Sequence, residues 1–221
     1  MRAAYDVDAV RAAERALLDQ LPDGALMQRA GSGLATVAAG LLGRVYGSHV
    51  VLLVGSGDNG GDALYAGVRL AARGARVDAV LLSDRAHPAG LASLLRAGGR
   101  VVTEVARAPD LVLDGIVGIG GRGALREGTA AVVEDLPPDA WVVAVDVPSG
   151  VDASTGEVAG PAVRADVTVT FGALKPGLLV DPGAAHAGVV ELVPIGLDLP
   201  QPSVEILQAE DVSRLLPRPS R

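Results

Sequence analysis

The chain has 221 residues, of which 49% are hydrophobic and 20% charged, a composition that supports one well-packed domain and excludes a disordered chain. Its 19 Lys and Arg against 26 Asp and Glu give a net charge of −7, which argues against a general nucleic-acid binder because phosphate contacts need clustered cations. No cysteine is present, so disulfides, thiol catalysis and thiolate metal sites are excluded.

The first 45 residues predict two helices. Apolar side chains at positions 7, 10, 17 and 18 recur at helical spacing after an aspartate that can cap the segment. Pro22-Asp23-Gly24 predicts a turn, and a longer apolar helix follows over residues 25–42. Residues 1–20 lack the apolar stretch of a signal peptide, and the apolar runs are too short for a membrane span. We therefore expect a cytoplasmic protein without a membrane partner.

From residue 46 onward, short runs rich in Val and Leu alternate with helical segments. Strands are predicted over residues 49–54, 76–82, 99–104, 111–113, 141–145, 167–171 and 189–193, and helices over 63–73, 88–97 and 125–136. This alternation is typical of βαβ units, and near-continuous apolar strands are typical of a sheet that is buried on both faces. The sequence therefore predicts an α/β fold with a mostly parallel sheet.

Polar and glycine-rich clusters directly follow four of the predicted strands. They occupy residues 55–62, 114–123, 146–150 and 172–177. In open α/β sheets, ligands bind at the carboxyl ends of the strands. The four clusters therefore predict one shared site at that edge.

The first cluster contains a G-x-G-x-x-G pattern at residues 55–60, between a strand and a helix, which is the context of a dinucleotide-binding loop. Asp78 or Asp84 could then bind a ribose, although a tight turn alone would also need the glycines. Asp58 and Asp62 would repel a bare pyrophosphate and better suit hydroxyls or a hard cation. The pattern alone leaves these alternatives open.

The other clusters carry two aspartates at strand ends, Asp114 and Asp146. Each could cap a turn or enter the ligand site. The rigid turn at Pro148 would direct Asp146 and the Ser149 hydroxyl into the crevice. The three histidines lie outside the clusters and are interpreted as structural or exposed, and no zinc-ligand spacing occurs. Lys175 could contact a phosphate or fix its loop.

Four motifs, in this order, resemble the NAD(P)H-hydrate epimerase family: V-G-S-G-D-N-G-G-D-A-L, D-G-I-V-G-I-G, A-V-D-V-P-S-G-V-D-A-S-T-G and T-F-G-A-L-K-P-G. The resemblance covers residues 5–198. It implies a Rossmann-like three-layer α/β/α sandwich. It also implies an isomerase that interconverts the R and S forms of hydrated NADH and NADPH (NADHX and NADPHX) at C6. This repair step precedes a dehydration that is specific for the S form.

The resemblance also implies which residues form the site. Asp146 aligns with the family's substrate-contacting and proposed catalytic aspartate. One potassium ion would bind to Asn59, Asp114 and Ser149, whose oxygens suit a weakly polarising monovalent ion. Asp58 replaces the first Asn of the family's usual Asn-Asn-Gly-Gly-Asp loop and lacks that amide's two donors. The substrate-binding loops fall on Asp58, Asn59, Gly60, Gly61 and Asp62, and on Gly118, Ile119, Gly120, Gly121, Arg122, Gly123 and Ala124.

The same resemblance implies the organisation and the partners. We expect one epimerase domain over residues 1–221, with N-terminal helices (1–45), an α/β core (46–200) and a C-terminal tail or linker (201–221). The tail resembles the joint at which bifunctional members continue into a dehydratase that uses ADP or ATP. A homodimer and a fused or separate dehydratase are the implied partners.

The chemistry at C6 needs a proton donor and a proton acceptor. If the hydroxyl leaves, the N1 lone pair stabilises an iminium, and water can return to either face. One carboxylate, such as Asp146, can alternate between acid and base. Ring opening to an aldehyde would also scramble C6. Two rival functions use the same loop: a nicotinamide-dependent oxidoreductase and a non-catalytic nucleotide-binding module.

Overall fold

A computed structural model describes residues 2–106, 108–207, 211, 212 and 214. Its strands are β1 (Arg2–Ala4), β2 (His49–Val54), β3 (Arg76–Leu81), β4 (Arg100–Val102), β5 (Leu111–Gly115), β6 (Trp141–Val145), β7 (Val167–Phe171), β8 (Val189–Val193) and β9 (Val204–Ile206). Its helices are α1 (Val7–Leu18), α2 (Ala25–Leu42), α3 (Asp58–Ala72), α4 (Pro88–Arg96), α5 (Glu127–Glu134) and α6 (Ala184–Ala187), with a 3₁₀ helix over Pro176–Leu178.

Within the described residues, seven parallel strands form one sheet in the order β4-β3-β2-β5-β6-β7-β8. The direction in which successive strands are added reverses between β2 and β5, which leaves a crevice at the carboxyl edge of the sheet. The four polar clusters follow β2, β5, β6 and β7, which are adjacent in the sheet. The topology therefore brings the clusters to one place, as the sequence predicts.

Helices cover the two faces of the sheet unequally. Helices α2, α3 and α4 pack on one face, against alternate strand residues such as Val50 and Leu52. Helix α5 packs on the other face through Val133, near Val51 and Leu53. The alternation follows from the two-residue period of a strand. The predicted three-layer α/β/α fold is confirmed. Among the residues that the structure describes, no helix has the length and apolarity that a membrane span requires.

Helix α1 lies apart from both layers, at the carboxyl edge of the sheet. Its Val7 packs with Val147 and Val151, which follow β6, and with Leu178, which follows β7. The preceding strand β1 pairs antiparallel with β9, and neither strand was predicted from the sequence. Most of the predicted tail beyond residue 207 lies outside the described residues.

Helix α3 begins earlier than the sequence predicts, at Asp58 instead of residue 63, so residues 58–62 form its first turn. Glycine disfavours a helix by about 1 kcal/mol relative to alanine, and this preference explains why the sequence favours a loop there. In the structure, a Cβ on Gly60 would overlap the carbonyl oxygen of Gly55. Close packing of the helix against the strand end overrides the local preference.

We expect Gly55→Ala to lower the free energy of unfolding by about 1–3 kcal/mol, the usual cost of overpacking. A Cβ there would overlap the backbone carbonyl of Ile116, which is not a flexible group that can move aside. Gly57→Ala is the matched control, because position 57 has φ −96° and nothing lies within 4 Å of its Cβ. Chemical denaturation of both variants checks the prediction. Equal losses of stability would contradict it.

Candidate active site

A cavity of about 630 Å³ opens at the carboxyl edge, over the reversal point between β2 and β5. This volume is in the range of pockets that bind cofactor-sized molecules. Helices α1, α2 and α3 and the turns after β5 and β6 contribute its walls. Seven of the residues expected from the sequence lie on these walls: Asp58, Asn59, Asp62, Gly118, Ile119, Gly120 and Asp146.

The remaining expected residues of the two loops lie behind or beside the wall. Gly60 packs against Gly55, and Gly61 packs against Met27 and His87. The segment 121–124 continues away from the cavity after a turn in which the Gly121 N–H donates to the Gly118 carbonyl at 2.9 Å. Direct contacts of residues 121–124 with a ligand therefore stay a prediction.

Asp146 has an unusual backbone that places its carboxylate at the cavity. Its φ of 68° is the only positive value for a non-glycine residue in the described part of the chain. Aspartate tolerates this left-handed conformation better than most residues, although such conformations still store strain. Its N–H donates to the Val169 carbonyl at 2.7 Å, which fixes the turn to β7. The residue is 7% exposed, and its side chain lines the cavity.

A buried lysine forms an ion pair with Asp146. Lys175 is 1% exposed, and its Nζ donates to Asp146 Oδ1, to Thr170 Oγ1 at 2.9 Å and to the Phe171 carbonyl at 3.1 Å. Thr170 Oγ1 and the Phe171 N–H also donate to Asp146 Oδ1, at 3.1 and 3.3 Å. Of the two roles that the sequence left open for Lys175, the contacts favour fixing the site over reaching a phosphate.

Lys175 is also the only lysine in the sequence, since the other 18 of the 19 basic residues are arginine. Lysine is a compact point charge, whereas arginine carries a broad planar fork. A nearly closed space with a carboxylate, a hydroxyl and a carbonyl as acceptors matches the three donors of an ammonium group. The sequence offers this composition signal, but it does not reveal the partner of the lysine.

Asp62 lies on the same cavity with very different neighbours. It is 8% exposed, and in the described part of the chain no group donates a hydrogen bond to its carboxyl or forms an ion pair with it. Burial raises the pKa of Asp62 well above its ordinary value. The charges of Asp146, Asp58 and Glu14 raise it further, against a smaller opposing effect of Lys175.

Helix α1 contributes two charged residues to the cavity that no sequence motif indicates, Arg11 and Glu14. Arg11 Nη2 donates to the Ile119 carbonyl at 3.4 Å, which links the helix to the loop after β5. Burial raises the pKa of Glu14, and the charge of Asp146 adds to the effect. No motif connects α1 to the site, because its position depends on packing with residues more than 100 positions away.

Asp114 and Ser149 form a second polar group, buried behind the cavity. Ser149 N and Oγ donate to the two carboxylate oxygens of Asp114 at 2.8 and 2.6 Å, and the Ile116 N–H donates at 3.3 Å. Asp114 is fully buried and has no ion-pair partner among the described residues. Burial raises the pKa of Asp114 to about 6, although the hydrogen bonds from Ser149 and Ile116 oppose this.

Asn59 bridges this group to the cavity. Its Nδ2 donates to the Val145 carbonyl at 2.7 Å, and a Cβ on Gly118 would lie 2.6 Å from its Oδ1. The space beside Asn59 Oδ1 is therefore available only because position 118 is glycine. Asn59, Asp114 and Ser149 come from α3, β5 and the turn after β6, and the fold gathers them near one another.

The structure gives roles to two residues outside the clusters. His87 lines the cavity, while its Nδ1 accepts a hydrogen bond from the Gly90 N–H at 3.0 Å and caps α4. Asp78, a candidate for binding a ribose, lies away from the cavity and bonds to Arg100, His49 and Arg76. Burial raises the pKa of Asp78, but these three hydrogen bonds outweigh it and lower the pKa overall. An ion-pair role replaces the ribose role.

Comparison with known proteins gives consistent results. Residues 23–177 match the family described as YjeF-related protein N-terminus. The chain is 52% identical over 225 residues to the bifunctional NAD(P)H-hydrate repair enzymes Nnr of Mycobacterium tuberculosis and Mycobacterium leprae, covering 99% of this chain and 47% of each enzyme. It is 45% identical to the NAD(P)H-hydrate epimerase of Microbacterium testaceum, covering 98% of this chain and 88% of that protein.

The fold has a solved counterpart as well. The crystal structure of the yeast protein ynu0 has a TM-score of 0.67 and 21% identity, covering 80% of this chain and 83% of the yeast chain. This likeness supports the fold alone. The chain spans about half the length of the bifunctional relatives that it matches.

The parallel sheet and the polar cavity at its reversal point define an α/β protein of the Rossmann-like class, with its ligand site at the carboxyl edge. Within that class, this chain belongs to the family of YjeF-related protein N-terminal domains. The family resemblance that the four sequence motifs indicate is confirmed.

Proposed function

We propose that this chain is an NAD(P)H-hydrate epimerase, which interconverts the R and S forms of NADHX and NADPHX at C6. The observation that carries the proposal is Asp146, a carboxylate held in a left-handed turn on a buried lysine at the cavity wall. The names of the curated relatives, NAD(P)H-hydrate epimerase and NAD(P)H-hydrate repair enzyme, support the same substrate.

Asp146 supplies proton transfer at C6 in this proposal. Its Oδ1 accepts the bonds from Lys175, Thr170 and Phe171, so Oδ2 is left for the substrate. The Lys175 ammonium is the ion-pair partner of this carboxylate and fixes its position, which suits a group that accepts a proton from water. When the hydroxyl of C6 leaves, the N1 lone pair stabilises the cation that forms at C6.

The charges on the cavity wall also orient the substrate. Apart from His87, the only basic residue among the described residues of the cavity wall is Arg11. Four wall residues are acidic: Glu14, Asp58, Asp62 and Asp146. The diphosphate of the substrate is therefore placed towards Arg11 and the loop of Gly118, Ile119 and Gly120. The hydrated nicotinamide ring is placed towards the carboxyl groups. Asp58 offers no donors to the substrate, in contrast to the family's usual Asn.

One potassium ion per chain, held by Asn59, Asp114 and Ser149, is part of the proposal. The residues fit such an ion for two reasons. Asp114 is a fully buried acid whose hydrogen-bond donors are all neutral. In addition, the space beside Asn59 Oδ1 is open because residue 118 is glycine. An ion bound there neutralises Asp114 and ties together the segments after β2, β5 and β6. A monovalent ion needs fewer charged ligands than a divalent one.

We expect the parent protein to unfold at a higher temperature in KCl than in LiCl at equal ionic strength. A ligand that binds only the folded state stabilises it by about 2.7 kcal/mol at one hundred times its Kd. Asp114→Ala removes the anionic ligand and should make the two unfolding temperatures equal. Asp139→Ala, at an exposed position far from the cavity, should retain the difference. Equal unfolding temperatures of the parent in both salts would contradict the site.

The function is tested with a purified R hydrate, followed by proton NMR or chromatography for the appearance of the S hydrate. We expect interconversion far above the spontaneous rate, in both directions and without a change in redox state. A ratio that changes only at the spontaneous rate rejects the proposal. Tight binding of unmodified NAD with hydride transfer would favour the oxidoreductase. Binding of the hydrates without turnover would favour the nucleotide-binding module.

The partners follow from the same proposal. The product of this chain would feed a dehydratase that acts on the S form with ADP or ATP, either fused to it or separate. The bifunctional names and double length of several relatives support this connection. A homodimer and a cytoplasmic location, the latter consistent with a sequence without cysteine, complete the proposal.

A further inference from the structure

Asp62 and Asp146 reach the same cavity from different elements, and their surroundings are opposite in character. Asp146 has the Lys175 ammonium, the Thr170 hydroxyl and the Phe171 N–H as donors to Oδ1. Asp62, in the first turns of α3, has no donor and no counter-ion in the part of the chain that the structure describes. The surroundings of Asp146 therefore stabilise a negative charge, whereas the described surroundings of Asp62 do not.

The groups that share the cavity with Asp62 strengthen this contrast. Helix α1 brings Glu14 and Arg11, helix α3 itself brings Asp58, and the start of α4 brings His87. Burial raises the pKa of the Asp62 carboxyl, and the nearby carboxyls outweigh Lys175 in raising it further. Both effects favour the protonated form of Asp62, whereas Asp146 has the Lys175 ammonium as its ion-pair partner. Two carboxyls in such different environments are a usual arrangement of an acid and a base in one site.

We propose that Asp62 is a second catalytic residue, a proton donor that works on the opposite face of the ring from Asp146. This inference rests on the proposed epimerase function and deepens it, since it replaces one alternating carboxylate with two. The two side chains come from α3 and from the turn after β6, so a ring bound between these elements can present one face to each.

The step balances without any further reactant. The C6–O bond breaks and its electron pair stays on oxygen, which takes the proton of Asp62 and leaves as water. The N1 lone pair forms the C6=N1 double bond of an iminium. A water molecule then attacks C6 from the other face, the electron pair returns to N1, and the proton of that water passes to Asp146. The reverse reaction starts with a proton on Asp146 and ends with one on Asp62.

Two carboxyl groups on opposite faces of the ring lead to an expected result that a single alternating carboxylate does not. If one group is lost, the iminium can form only from the epimer whose hydroxyl faces the remaining group. Water then returns to that same face, so the oxygen exchanges with solvent while the configuration is retained. Asp62→Asn and Asp146→Asn should therefore each exchange the oxygen of one epimer, and the two variants should act on opposite epimers.

The experiment incubates each purified epimer in H₂¹⁸O with the parent, Asp62→Asn, Asp146→Asn and the exposed control Asp139→Asn. Chromatography measures inversion, and mass spectrometry measures ¹⁸O at C6. We expect one ¹⁸O per inversion in the parent and the control. Inversion should fall about 10²–10⁴-fold in each cavity variant, with exchange retained for opposite epimers. Equilibrium dialysis with each hydrate should show that binding is largely retained.

Three results of the ¹⁸O experiment overturn the inference and leave the epimerase proposal standing. They are inversion by Asp62→Asn within a few-fold of the parent, exchange of the same epimer or of neither epimer by both variants, and inversion by the parent without ¹⁸O uptake, which indicates ring opening. An inactive parent instead rejects the proposed function itself.

Thermal unfolding keeps the Asp62 variant interpretable. When the pKa of a carboxyl is raised in the folded state, the protein loses stability as the pH rises from the ordinary pKa of that carboxyl through its pKa in the folded state. Asp62→Asn removes this loss, so it should unfold at a higher temperature than the parent at pH 8 and lose that advantage at pH 4. A merely structural role for Asp62, with destabilisation of the variant at both pH values, overturns the inference.

Discussion

Replacing Lys175 with methionine is expected to lower the free energy of unfolding by about 3–5 kcal/mol and to abolish epimerisation. Lys175 is 1% exposed and supplies the counter-ion of Asp146. Removing one partner of a buried ion pair leaves the other charge without compensation, and that cost is far larger than the worth of a surface pair. Chemical denaturation at pH 7 measures the loss.

The double variant Lys175→Met/Asp146→Asn separates stability from catalysis. With both charges gone, no buried ion is left uncompensated, so a large part of the lost stability should return. Activity should not return, because an amide cannot move the proton. A double-mutant cycle over the four proteins isolates the coupling between the two side chains. A double variant whose loss of stability equals the sum of the two single losses would contradict the pairing.

The single lysine also permits a direct observation of the pair. Labelling with ¹⁵N-lysine gives one side-chain ammonium signal, that of Lys175, without any overlap. A buried and bonded ammonium exchanges its protons slowly with water, so its signal should be visible at neutral pH. The signal should shift or disappear in Asp146→Asn. An ammonium that exchanges like a free surface lysine would contradict the buried pair.

The sheet and the location of the site could be predicted from the sequence, because both depend on local patterns. Apolar runs in a parallel sheet and glycine-rich turns after them recur at fixed positions of every βαβ unit. No knowledge of packing was therefore needed to predict that four clusters meet at one edge of the sheet, those at residues 55–62, 114–123, 146–150 and 172–177. The predicted start of α3 was wrong because it also depended on local patterns, and local preference assigns Gly60 and Gly61 to a loop.

The electrostatic character of the site could not be predicted in this way. Arg11 and Glu14 reach the cavity only because α1 packs on turns far away in the sequence. The pairing of Lys175 with Asp146 spans 29 residues and depends on the short turn between β7 and the 3₁₀ helix. Likewise, nothing local distinguishes Asp62 from Asp58, although burial leaves one 8% exposed and the other at the surface. Burial and pairing, rather than residue type, set the roles of these acids.

Asp146→Asn is expected to reduce the epimerisation rate by about 10²–10⁴-fold while substrate binding weakens far less. Asparagine is well tolerated at a positive φ, so the turn at φ 68° should persist. The amide oxygen can still accept bonds from Lys175, Thr170 and Phe171. What it loses is the ability to take up and release a proton. Because we propose that the diphosphate binds towards Arg11 and the loop of Gly118, Ile119 and Gly120, the affinity should depend mainly on those contacts and the rate on Asp146.

The decisive measurement is therefore paired, with hydrate affinity and epimerisation rate taken on the same sample of Asp146→Asn. Asp139→Asn, which removes an exposed carboxylate at the other edge of the sheet, should match the parent in both. A rate within a few-fold of the parent would remove Asp146 from the mechanism. Lost binding or a lost fold would mark it as structural, and the stable double variant with Lys175→Met distinguishes the two. That variant should be folded and should bind the hydrate, yet it should be as slow as Asp146→Asn, because neither protein has a proton acceptor at that face of the ring.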